Sequence, residues 1–64
     1  MIDPWAELSS LATALEDVGR RVGAIAAAYA AADRGDRAGE LYEAERAVTA
    51  AQRRLAKLVE AERP

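Results

Sequence analysis

AADRGDRAGE, residues 31–40, lies near the middle of the 64-residue chain, and its reading decides the fold. Upstream of it, apolar residues fall at Leu8, Leu11, Leu15, Val18, Val22, Ile25, Tyr29 and Ala32. The gaps alternate between three and four, which is a helical heptad with Leu8, Leu15, Val22 and Tyr29 at a and the others at d. Downstream, Leu41, Val48 and Leu55 take a, and Ala44, Ala51 and Leu58 take d. If one helix ran through Gly35, the first heptad would put Asp36, Glu43 and Arg46 into a buried seam. The second seam is displaced by two positions, a shift that neither a three- nor a four-residue insertion in a coiled coil produces. The chain therefore breaks within this stretch.

Residue chemistry supports the break. Gly35 suits the left-handed position that ends a helix, and Asp36 suits the cap of the next one. Asp3 and Pro4 mark the start of the first helix in the same way, as cap and first helical residue. The expected fold is all-α: helices over about 4–33 and 37–62, joined by a short turn into an antiparallel hairpin. Residues 1–64 form one such unit. Folding about residue 35 brings together positions whose numbers sum to roughly 70. Leu8, Leu11, Leu15, Val18, Val22, Ile25 and Tyr29 are then expected to face Leu41, Val48, Leu55 and Leu58 across the hairpin seam.

The first helix is too apolar for one partner. Its e positions are Trp5, Ala12, Gly19 and Ala26, and from Val22 to Ala32 every face is apolar. The second helix carries Glu43, Arg46, Arg53, Lys57 and Glu60. The expectation is a homodimeric four-helix bundle with the first helix inside. Trp5, Ala12, Gly19, Gly23 and Ala26 are its expected oligomer interface, with the Gly19-x-x-x-Gly23 spacing allowing close helix crossing. Sixty-four residues without a cysteine make a marginal solitary core, which favours association as well.

Composition bounds the function. With 11 acidic and 9 basic side chains, net charge is −2, a poor match to phosphate backbones or anionic lipid. Arg20-Arg21 and the Arg53-Arg54-Lys57 cluster read as solvated faces, the first pair balanced by Glu16 and Asp17 at favourable helical spacing. The longest uncharged apolar run, residues 22–32, is about half the ~20 residues of a membrane span. No basic stretch opens the chain as it opens a signal peptide, so the expected location is cytoplasmic. Arg34-Gly35-Asp36 matches an adhesion tripeptide, but its residue types are those of a helix–helix turn.

Catalysis finds little here. Histidine and cysteine are absent, which removes the commonest base, metal ligand and thiolate nucleophile. Ser9, Ser10, Thr13 and Thr49 have no histidine to activate them, and no cofactor or metal is expected. The sequence reads as a non-catalytic structural or protein-interaction module that pairs with itself through the first helix. The alternative is a small regulator that binds a different protein, or with less support DNA, through the second.

Overall fold

The computed structural model describes residues 3–64. Two helices account for almost all of them: α1, Pro4–Ala31, and α2, Gly35–Ala61. They lie side by side in a rod of 48 × 18 × 13 Å. No strand occurs among the described residues.

Asp3 caps α1 as its position predicts. Its carboxylate accepts from the backbone N–H groups of Trp5 at 3.1 Å and Ala6 at 3.4 Å, two of the donors a helix start leaves without partners. Pro4 occupies the first turn, where its missing N–H costs nothing.

The turn has the length the sequence suggests but lies two residues earlier, at 32–34, and a different residue makes it. Asp33, not Gly35, holds the left-handed conformation, with φ 63°. Its N–H donates to the Ala30 carbonyl at 3.1 Å, and the Arg34 N–H donates to the Tyr29 carbonyl at 2.9 Å. This crossed pair is the Schellman arrangement that satisfies the last carbonyls of a helix. Aspartate tolerates the left-handed region better than most residues with a β-carbon. Gly35 is instead the first residue of α2, and Arg34 takes the cap position without a side-chain capping bond. Asp36 lies in the first turn of α2 and pairs with Arg34 at 3.4 Å. The expected roles of Gly35 as helix terminator and Asp36 as cap are therefore corrected.

The hairpin uses a different seam from the one the leucines suggest. Ala12, Gly19 and Ala26 are the buried residues of α1, and Ala38 is that of α2. Leu8, Leu15, Val22, Leu41, Val48 and Leu55 are half-buried between the helices, as expected of a positions. The d positions are not in the seam: Leu11 is 51% exposed, Val18 42%, Ile25 51% and Leu58 49%. Tyr29, at the loop end, is also open to solvent. Each helix packs through a and e, not a and d.

The reason lies in the small residues. A β-carbon on Gly19 would stand 3.3 Å from Cγ1 of Val48, and one on Gly23 would stand 3.0 Å from Cδ of Glu45. The two backbones thus approach at the glycines, and the paired numbers sum to 67 and 68. Opposite the small e positions of α1, α2 places Glu45 and Gln52, both half-buried. Over Gly23 it is the carboxylate end of Glu45 that fills the space a β-carbon would take. The residues expected to line an oligomer interface, Trp5, Ala12, Gly19, Gly23 and Ala26, therefore belong to the inside of the hairpin.

Candidate functional site: an uncovered apolar face

An antiparallel pair that meets through a and e has the d positions of both helices on one side of the seam and the b positions on the other. The two sides differ sharply. The b side carries Ser9, Glu16, Tyr42 and Thr49, with Gln52 at its edge. The d side carries Leu11, Val18 and Ile25 from α1 and Ala44, Ala51 and Leu58 from α2, with Arg37 on the same row in the first turn of α2, all exposed. Ala14 and Ala28 on α1 and Ala47 on α2 widen this side, and they are exposed too. From Leu11 to Ile25 the stripe runs roughly 21 Å at the helical rise. At the loop end it runs into a groove lined by Ile25, Tyr29, Arg37, Glu40 and Leu41.

The interior cannot compensate for this exposure. The fully buried apolar residues are Ala12, Ala26 and Ala38, and no large side chain is completely covered among the described residues. The hairpin has more apolar surface outside than a two-helix seam can hide.

The ends are better tied than the middle. Trp5 is half-buried, and its indole Nε1–H donates to the Val59 carbonyl at 2.9 Å. Val59 lies in the last turn of α2, where carbonyls lose their helical partners. Trp5 thus closes the open end of the hairpin, beside Leu8 in a shallow hollow with Glu62.

Ion pairs hold charge on the rim and do little else. Asp17 pairs with Arg20 and Arg21, Glu43 with Arg46, and Glu60 with Arg63. All are exposed, where such pairs contribute little to stability. Thr13 donates its hydroxyl to the Ser9 carbonyl at 3.2 Å, a local helix bond and not the activation of a nucleophile. No group of three potential metal ligands converges among the described residues. No helix among them is long and apolar enough to cross a membrane.

Comparison with protein-family models, with curated proteins and with solved structures finds no match to this chain. The face described above is the feature that bears on function. Sequence reasoning placed Leu11, Val18, Ile25 and Leu58 in the hairpin and overlooked Ala44, Ala47 and Ala51 as surface. The available signal was a second heptad on α1, Trp5–Leu8–Ala12–Leu15–Gly19–Val22–Ala26–Tyr29, which shares its a positions with the first.

Proposed function

We propose that this chain is a non-catalytic association module that pairs with itself, and that its working surface is the Leu11–Val18–Ile25–Leu58 face. The observation that carries the reading is the uncovered apolar stripe on a chain whose own core is three alanines. Area supports it. The chain exposes 4926 Å², whereas a monomer of 6.8 kDa ordinarily exposes about 4,000 Å². The excess, roughly 900 Å², is close to the ~800 Å² that each partner contributes to a standard protein interface. Contiguous exposed apolar patches mark association sites.

Self-association was expected through the small residues of the first helix. Those residues are engaged with α2, so the proposed surface moves to the d side. Residue inventory argues against chemistry at this face, which presents aliphatic side chains and no nucleophile, base or ligand cluster.

Sedimentation equilibrium over a range of concentrations tests the proposal. The chain should weigh about 14 kDa, twice its single mass. Val18→Glu, which places a carboxylate in the middle of the face, should lower the association constant by at least about 100-fold, because an unpaired charge would be buried. Arg53→Leu, at an exposed position on the back of α2, should leave the mass unchanged. A chain that stays monomeric at every concentration would show that the face serves a different partner, or none.

A further inference from the structure

We infer that the two copies pair with α1 of each lying on α2 of the other, about a twofold axis parallel to the helices, so that both turns sit at one end of the bundle. This inference rests on the self-association proposed above and says which surfaces meet.

Shape is the first argument. Along the uncovered face α1 is bulky, with Leu11, Val18 and Ile25, while the middle of α2 is small, with Ala44, Ala47 and Ala51. A twofold axis along the bundle keeps every residue at its own height. The glycine contacts put residues whose numbers sum to 67 or 68 at one level. Val18 of one copy then falls within about 3 Å in height of Ala51 of the other, and Ile25 the same distance from Ala44. Two of the three layers set a large side chain against a small one and the third sets Leu11 against Leu58, and symmetry makes both helix–helix gaps equal in width. The other closed arrangement turns the second copy end over end and sets α1 on α1. It stacks Val18 on Val18 and Leu11 on Ile25 along one side, and Ala51 on Ala51 and Ala44 on Leu58 along the other. Helix separation follows the side chains at the contact, so that pairing opens a wedge on the bulky side or leaves a gap there.

Charge is the second argument, and it identifies a second copy as the occupant. At the outer edge of the face, near the chain ends, α1 presents Glu7 and α2 presents Arg54. On the half near the turn α1 presents Arg21 and α2 presents Glu40 at the edge, with Arg37 on the face itself. When α1 lies on the α2 of a second copy at unchanged height, Glu7 and Arg54 stand about two turns apart along the bundle, as do Arg21 and Glu40. The rim is complementary to itself, which steers the encounter and discourages a mismatched partner. A consequence of this pairing is a bundle with polarity, in which all four chain ends emerge together.

The chain has no cysteine, so single cysteines report contacts cleanly. Val18→Cys and Ala51→Cys variants would be unfolded, refolded alone and as an equal mixture, and oxidised. The expected result is a cross-linked pair in the mixture, up to about half of the chains, the statistical share of mixed dimers. Each variant alone should give almost none, because the like residues lie diagonally across the bundle and a disulfide needs Cα atoms within about 7 Å. Val18→Cys cross-linking by itself as readily as the mixture would overturn the arrangement in favour of α1 on α1, and a dimer that cross-links in neither case would overturn it as well. Sedimentation of the unsubstituted chain, run alongside, separates the two levels. A monomer there removes the association itself, whereas a dimer with the wrong cross-link removes only the pairing of helices.

Discussion

The indole of Trp5 and the carbonyl of Val59 meet at 2.9 Å, joining the first turn of α1 to the last turn of α2. The bond does two things at once. It supplies a partner to a carbonyl that the helix end leaves free, and it fixes the end of the hairpin farthest from the turn. Trp5→Phe keeps much of the ring and removes the donor. It should cost about 1 kcal/mol, the net value of a typical hydrogen bond, measured by urea unfolding at a fixed chain concentration. Trp5→Phe as stable as the parent chain would mean that the indole serves only as apolar cover.

The turn yields a pair of opposite predictions. Asp33 is the residue with φ 63°, and Asp33→Gly should stabilise the hairpin by about 1 kcal/mol, since glycine occupies the left-handed region without strain. Gly35 is helical, and nothing lies within 4 Å of the β-carbon it lacks. Gly35→Ala should therefore be neutral or stabilising by a few tenths to about 1 kcal/mol. Thermal melts of the two variants decide the matter: a marked loss on Gly35→Ala would return the left-handed role to that glycine.

The two mid-helix glycines of α1 should respond differently from each other. At Gly19 a β-carbon meets Val48, a packed side chain with little freedom to move. Gly19→Leu should force the helices apart and cost about 1–3 kcal/mol, read as lost helicity and not only as lost mass. At Gly23 the obstacle is the carboxylate end of Glu45, which can swing into water. Gly23→Ala should recover most of the ~1 kcal/mol of helix propensity that glycine forfeits. Equal responses at the two sites would argue against backbone approach as the reason for the glycines.

Two leucines one turn apart should separate the hairpin from the assembly. Leu15 is half-buried in the seam and Leu11 is exposed on the d side. Leu15→Ala should cost about 2 kcal/mol of unfolding free energy, toward the low end for buried leucines because it is only partly covered. Leu11→Ala should weaken dimerisation by about tenfold, as loss of side-chain area from an interface does, and leave the half-buried seam in place. Concentration-dependent melts show the difference, because stability gained from association depends on chain concentration and stability within the hairpin does not. The same concentration dependence in both variants would undercut the division between seam and face.

Asp3 offers a simpler check on the start of α1. Its carboxylate is the acceptor for two otherwise free N–H groups. Asp3→Ala should cost about 1 kcal/mol, whereas Asp3→Asn, which keeps the acceptor, should cost only a few tenths. Urea midpoints that fall together for both variants would shift the effect from the hydrogen bond to the charge at the helix start.

Local chemistry was enough to determine the helices and the break between them. Asp3 and Pro4 mark one boundary, Pro64 lies beyond another, and the two-position slip between the leucine patterns requires a turn, read about Gly35 and found two residues earlier, at 32–34. These are properties of a short stretch of chain, governed by backbone donors, φ preferences and helical period. The faces were a different matter. On α1 the a positions belong to two heptads, one completed by Leu11, Val18 and Ile25 and the other by Ala12, Gly19 and Ala26, and the period is the same for both. Hydrophobicity favours the first. On α2 it does so too, because Glu45 and Gln52 stand in the second. Only the packed pair decided between them. Glycine and alanine on α1 leave room for Val48 and the carboxylate end of Glu45 to fill the space above them. That gain depends on the distance between two helices far apart in sequence, a quantity that no single-helix pattern contains.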